Sequence, residues 1–194
     1  MNLPNTLSLL RCALVPVFVV TLFLMRDISV WGRVVPAIVY LITGLTDMLD
    51  GKIARKYNLV TDFGKFIDPL ADKFMVISSQ IAILVWMLLR GEELLAMIFV
   101  WVVLIILLRE LGVTSLRLVV AGNSGIVVAA SMLGKIKTVS QMAGTVIIMV
   151  EPIIPFFSEN HILSYVVMAI MAFTTLFSGW DYLKAYLPYI DSNK

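Results

Sequence analysis

Hydrophobic and polar positions in this chain alternate on the scale of whole helices. Six apolar segments stand out, at about Cys12–Met25, Val34–Leu49, Phe66–Leu89, Leu94–Leu108 (continuing toward Val120), Val139–Val150 and Ile162–Leu183. Short breaks separate them: Arg26-Asp27, Arg90-Gly91-Glu92-Glu93, Gly122-Asn123-Ser124-Gly125, and Glu151-Pro152 through Pro155. A helix needs ~20 residues to cross the hydrocarbon core, so the shorter segments must extend into their polar flanks. The pattern predicts an all-α integral membrane protein with six transmembrane helices, residues 1–194 forming one membrane-embedded domain. The opening MNLPNTLSLLR lacks a basic region before the apolar run, is interrupted by Arg11 and precedes no small-residue cleavage site, unlike a cleavable signal peptide. It reads as a short N-terminal amphipathic helix that starts near Pro4 and Asn5 and leads into the first span.

Composition agrees with this reading. Apolar residues make up 60% of the 194 residues and charged residues only 14%, which excludes an ordinary soluble domain. The charges lie in short stretches rather than in a basic tract, and no nucleic-acid partner is expected. Cys12 is the single cysteine, so neither an intramolecular disulfide nor a cysteine-based metal site is available. His161, near Glu159, reads as an interfacial loop residue.

Lysine and arginine set the orientation. With the connector between Asp47 and Asp72 in the cytoplasm, Arg11, Lys52, Arg55, Lys56, Lys65, Lys73, Arg109, Arg117, Lys135, Lys137, Lys184 and Lys194 lie at or near that side. Only Arg26, Arg33 and Arg90 fall on the other. This is a strong positive-inside bias. It predicts an inner (cytoplasmic) membrane protein with both termini in the cytoplasm.

The chemistry concentrates where the second segment ends and the third begins. Asp47 and Asp50 are three apart, Asp68 and Asp72 four apart, so on helices each pair shares a face. A helical hairpin would gather all four at its closed end, and carboxylates at a membrane boundary are functional by default. Asp47, Asp50/Gly51 and Ala54 form one stripe in which two acids are followed by two residues with almost no side chain. The bare backbone lets a flat or bulky ligand approach closely, and Arg55 follows as a charge suited to phosphate. Gly64 leaves room where the limbs converge. All-oxygen ligation without His or Cys points to Mg²⁺ or Mn²⁺, and two such ions would balance four carboxylates.

Each residue alone has a structural reading. Asp68 suits a helix N-terminus, Asp62 a solvated position, and Gly51 or Gly64 close helix packing. Jointly, D-x-x-D-G-x-x-A-R-x(8)-G-x-x-x-D-x-x-x-D fixes eight positions. At roughly 5–7% per residue type, chance gives on the order of 10⁻¹⁰ per window.

These residues resemble the signature of the CDP-alcohol phosphotransferase family, integral membrane enzymes that move a phosphatidyl group from a CDP-linked lipid to an alcohol. All eight positions are met by Asp47, Asp50, Gly51, Ala54, Arg55, Gly64, Asp68 and Asp72. The resemblance implies the family's six-helix fold, a homodimer, and a cytoplasm-facing cavity with two divalent ions. It implies that Asp47, Asp50, Asp68 and Asp72 hold the metal and that Asp72 is also the general base. The CDP moiety then lies against Asp47, Asp50, Gly51, Ala54, Arg55 and Gly64.

The signature is nearly silent about the acceptor. In LLRELGVTSLR, Glu110 and Arg117 are seven apart on one helix face, with Arg109 about a quarter turn aside. In LGKIKTVSQM, Lys135 and Lys137 flank the start of the fifth segment. Snorkelling anchors would also place cations here. A basic pocket beside a metal-bound nucleotide suits an acceptor that itself carries a phosphate. The wider chain is similar to the branch of the family whose bacterial members make phosphatidylglycerol phosphate. The opening LPNTLSLLR (with Ser8 where relatives often carry Thr), the Arg109-Glu110-x-x-Val113-x-x-x-Arg117 run and Gly134 to Thr138 carry that similarity. It implies CDP-diacylglycerol and sn-glycerol 3-phosphate as substrates, with Arg109, Arg117, Lys135 and Lys137 at the acceptor phosphate. Two rival readings are a sibling enzyme using inositol phosphate, serine or phosphatidylglycerol, and a divalent-cation transporter, which would need acids near the bilayer midplane on broken helices.

Overall fold

The computed structural model describes residues 2–26, 28, 30–56, 61–124, 131–158 and 160–189, without the side chains of residues 3, 4, 47–56, 65, 123, 124 and 158. No strand occurs among the described residues. The helices are α1 (Leu3–Leu24), α2 (Trp31–Lys56), α3 (Asp62–Leu89), α4 (Glu93–Ser124), α5 (Met132–Val150), the single turn α6 (Pro155–Ser158) and α7 (Ile162–Tyr186). Six of these are long and match the six apolar segments. Four contain stretches long and apolar enough to cross a membrane: Asn5–Leu24, Asp62–Leu89, Glu93–Gly122 and Ile162–Tyr189. The apolar part of α2, Trp31–Thr46, and the 19-residue α5 are shorter.

The N-terminus corrects the sequence reading. No separate amphipathic helix precedes the first span, because α1 runs unbroken from Leu3 through Arg11 to Leu24. Asn5, Ser8, Arg11, Val15, Phe18 and Leu22 repeat every three or four residues and all are buried. One stripe, polar at its start and apolar beyond, thus packs inward over the whole helix. Arg11 interrupts the apolar run in sequence but lies on this inward stripe.

The long helices close a ring. α1 packs on α2 and α3, α3 on α4, α4 on α7, α7 on α5, and α5 back on α2. Trp86, Phe99, Ile83, Met87, Ile106, Ile148 and Met149 fill the middle. The outer surface is apolar: Leu24 and Leu108 are each 77% exposed, Trp101 70% and Phe173 62%. Thr43, Ser79, Gln80, Gln141, Thr145 and Thr175 are instead buried. Apolar residues outward and polar residues inward is the distribution a lipid-embedded bundle requires.

Interior polar side chains tie neighbouring helices together. Gln80 Nε2 donates to Thr145 Oγ1 at 2.9 Å between α3 and α5, and Ser140 Oγ lies 2.7 Å from Thr174 Oγ1 between α5 and α7. Such bonds average about 0.6 kcal/mol in membranes. At one end of the bundle Arg33 Nη1 donates to the Pro152 carbonyl at 2.8 Å. The opposite end holds Asp68, Asp72 and the basic cluster.

Candidate active site

Serine and threonine caps start the two helices that carry the candidate chemistry. Thr61 Oγ1 accepts from Gly64 N at 3.0 Å at the head of α3, and Ser131 Oγ from Gly134 N at 3.1 Å at the head of α5. The Thr61 cap is itself held by α1. Asn5 Nδ2 donates to Thr61 Oγ1 at 3.0 Å, and Thr61 Oγ1 lies 3.1 Å from Asn5 Oδ1. Gly64 leaves room for this arrangement, since a Cβ on it would sit 2.9 Å from Asn5 Oδ1 and would push on the Asn5–Thr61 pair. The close approach that Gly64 permits is therefore with α1.

Asp68 and Asp72 lie one turn apart on α3 and both are half-buried. Ser8 Oγ donates to Asp68 Oδ1 at 2.5 Å, so α1 fixes one oxygen of that carboxylate. Asp72 lines a small cavity together with Tyr40, Gly44, Thr138 and Gln141. Thr138 and Gln141 of that lining flank Lys137 on α5. The side chains of Asp47, Asp50, Gly51, Ala54 and Arg55 lie outside the described residues, although the backbone of α2 is helical through all five.

Three candidate acceptor residues converge across α4, α5 and α7. Glu110 is buried and accepts from both Lys137 Nζ and Arg109 Nη1, the latter at 3.2 Å. Arg109 Nη2 donates to Ser178 Oγ at 2.7 Å, leaving Nε buried without a protein acceptor. Two cations against one carboxylate leave one positive charge in this cluster. The guanidinium carbons of Arg109 and Arg117 lie 5.3 Å and 5.8 Å from the Tyr182 ring centroid. Tyr182 thus joins the two arginines by cation–π contact and also accepts from Ser131 N at the head of α5, at 3.3 Å. Lys135 does not join them. Two residues from Lys137 is about 200° round a helix, and its side chain is exposed.

An anchored carboxylate at Asp68, a second at Asp72 one turn on, and a buried basic cluster on α4 and α5 fit an enzyme that handles phosphates. The family model for CDP-alcohol phosphatidyltransferase matches residues 1–179. The chain belongs to this family. Among curated relatives, it is 40% identical over 195 residues to the Bacillus subtilis (strain 168) protein named CDP-diacylglycerol–glycerol-3-phosphate 3-phosphatidyltransferase, covering 94% of each chain. It is 37% identical over 182 residues to the Mycobacterium tuberculosis (strain CDC 1551 / Oshkosh) protein named probable phosphatidylglycerophosphate synthase, covering 94% of this chain and 80% of the relative. A Rickettsia bellii (strain RML369-C) protein bearing the first name is 34% identical over 188 residues, with 97% of each chain covered.

Within this CDP-alcohol phosphatidyltransferase, four residues that support the candidate site were not legible as such in the sequence. Asn5 and Ser8 hold the head of α3 and Asp68, while Ser178 and Tyr182 hold Arg109 and Arg117. The three- and four-residue stripe on α1 was a legible signal only of the inward face that carries the first pair. The second pair sits in an apolar helix whose inward serine and tyrosine look like ordinary packing.

Proposed function

We propose that this chain transfers the phosphatidyl group of CDP-diacylglycerol to sn-glycerol 3-phosphate, giving phosphatidylglycerol phosphate and CMP. Family membership and the relatives' names support the reaction class. The observation that carries the acceptor is that Asp72, the candidate base, lines one cavity with Thr138 and Gln141, which flank Lys137 of the Arg109–Glu110–Lys137 cluster on α5. A phosphate held by these cations brings a hydroxyl on the same molecule toward Asp72. Serine has no phosphate to offer them, which disfavours it as acceptor. The transporter reading loses its ground, since the acid-bearing α3 runs unbroken and the chain is a family member.

The donor set fits hard divalent cations. Asp68 and Asp72 offer carboxylate oxygens one turn apart, and neither His nor Cys adjoins them in sequence. Among the described residues no group of three ligands forms; Asp47 and Asp50 would complete the set. When bound, two Mg²⁺ or Mn²⁺ ions would neutralise the pyrophosphate of the donor. Asp47, Asp50, Gly51, Ala54, Arg55 and Gly64 would receive the CDP moiety. Asp72 takes the proton of the acceptor hydroxyl, whose oxygen forms a bond to the lipid-bearing phosphorus while the bond to the CMP oxygen breaks. Arg109, Arg117 and Lys137 hold the acceptor phosphate, while Lys135, exposed on the other side of α5, stands outside that pocket. The reading includes a homodimer with six spans per chain in the cytoplasmic membrane, with the site and both termini facing the cytoplasm.

The test supplies purified protein with CDP-diacylglycerol and each of glycerol 3-phosphate, inositol phosphate, serine and phosphatidylglycerol, following CMP release with and without a chelator. CMP is expected with glycerol 3-phosphate alone, lost on chelation and restored by Mg²⁺ or Mn²⁺. Preference for another acceptor overturns the substrate assignment, and full turnover without metal overturns the metal site.

A further inference from the structure

The cavity beside Asp72 contains an amide with no role in the reaction as described. Gln141 lies on α5 one turn beyond Lys137 and is 2% exposed. Its Nε2 donates to Thr175 Oγ1 on α7 at 3.1 Å, while Thr175 Oγ1 donates its own proton to the Met171 carbonyl at 2.6 Å. Thr175 is therefore an acceptor toward Gln141, which fixes the amide with its nitrogen toward α7. The carbonyl oxygen Oε1 is left buried with no hydrogen-bond partner.

Gln141 and Asp72 line the same cavity, of about 10 Å³, on the order of one hydroxyl group or water. Among the other polar side chains around it, Thr138 Oγ1 donates to the Gly134 carbonyl at 3.1 Å, and the Tyr40 hydroxyl makes no hydrogen bond to Oε1. A donor for Oε1 has to arrive with a ligand or a water.

Resting on the reaction proposed above, we infer that Gln141 selects the acceptor by accepting a hydrogen bond from its second, non-reacting hydroxyl. Glycerol 3-phosphate carries two hydroxyls on adjacent carbons: one loses its proton to Asp72, and the other meets Oε1. The spacing agrees. Lys137, proposed to hold the phosphate, and Gln141 are four residues apart, about 6 Å along the helix axis, similar to the reach from phosphate to hydroxyl in this small acceptor. A buried acceptor that pairs only with the correct substrate discriminates against analogues lacking that hydroxyl.

The test compares glycerol 3-phosphate with 3-hydroxypropyl phosphate, which keeps the phosphate and the reacting primary hydroxyl but lacks the second one. The full-length wild type is expected to prefer glycerol 3-phosphate at least tenfold in kcat/KM. Gln141→Met should lower kcat/KM for glycerol 3-phosphate about tenfold and leave the deoxy acceptor, read as turnover or as a competitive inhibition constant, within about twofold. Thr175→Val, which releases the amide nitrogen, should weaken the same preference by a smaller factor. An equal fall for both acceptors in Gln141→Met would mean a structural amide or a bound water and overturn the inference. So would a wild type that uses both acceptors equally, or a Thr175→Val enzyme with undiminished preference. A wild type that releases no CMP with glycerol 3-phosphate overturns the parent reaction instead.

Discussion

Ser8 of α1 donates to the Asp68 carboxylate of α3 at 2.5 Å across 60 residues of sequence. The bond leaves Asp68 with one oxygen oriented by protein and makes the start of α1 part of the site's framework. If Asp68 holds a divalent ion, Ser8 is the partner that orients its ligand, and loss of such a partner typically weakens metal affinity or activity 10–100-fold. Ser8→Ala should therefore raise the Mg²⁺ concentration for half-maximal activity by about tenfold, with turnover recovering at saturating metal. Ser8→Thr keeps the hydroxyl and should stay close to wild type. A metal titration of both variants is the check; an unshifted Ser8→Ala curve removes Ser8 from this role.

The helices were legible because a membrane bundle writes its spans as long apolar runs with polar breaks. What could not be read was the meaning of isolated polar residues within those runs. Arg11 looks like a boundary in sequence but is 0% exposed at the middle of the inward stripe of α1. The signature aspartates were legible as a set because their three- and four-residue spacings are local. Their supports are not local, since Ser8–Asp68 and Lys137–Glu110 are separated by 60 and 27 residues. The same holds within the basic cluster. Seven-residue spacing put Glu110 with Arg117, yet Glu110 pairs with Arg109 and Lys137 while Arg117 lies against Tyr182. Only the packing of α7 against both α4 and α5 decides that exchange.

The buried Lys137–Glu110 pair leads to a stability prediction. Removing one partner of a buried pair costs roughly 3–5 kcal/mol, because the remaining charge has no compensation. Glu110→Ala should therefore lower Tm in detergent by roughly 6–20 °C, at about 2–4 °C per kcal/mol for a chain of this size. Adding Lys137→Met removes the stranded charge and should recover part of the loss. Thermal unfolding of the two single variants and the double variant gives the coupling. If the double variant loses the full sum of the singles, the pair is not coupled.

Orientation is open to a labelling test at both ends of the bundle. Glu93 is exposed at the start of α4 and Lys135 at the start of α5, at opposite ends of the structure. In a Cys12→Ser background, Glu93→Cys should react with a membrane-impermeant maleimide on intact cells. Lys135→Cys should react only after permeabilisation. The reverse pattern would overturn the orientation inferred from the basic residues.

Acceptor binding and chemistry should separate at Arg109 and Asp72. Arg109 is held on Glu110 and Ser178 with its Nε free of protein acceptors, so its position is set before any phosphate arrives. Hydrogen bonds to charged groups are worth about 1.5–3 kcal/mol, so losing one weakens binding about ten- to a hundredfold. If the contact is equally strong in the ground and transition states, Arg109→Ala raises KM for glycerol 3-phosphate by that factor and largely keeps kcat. Asp72→Asn is expected to do the opposite. The amide has nearly the shape of the carboxylate but cannot take the hydroxyl proton, so kcat collapses while CDP-diacylglycerol still binds, more weakly through an altered metal site. Steady-state kinetics with each substrate varied in turn distinguishes the two. An unchanged KM in Arg109→Ala removes that arginine from the acceptor site, and an Asp72→Asn enzyme that still turns over removes the general base.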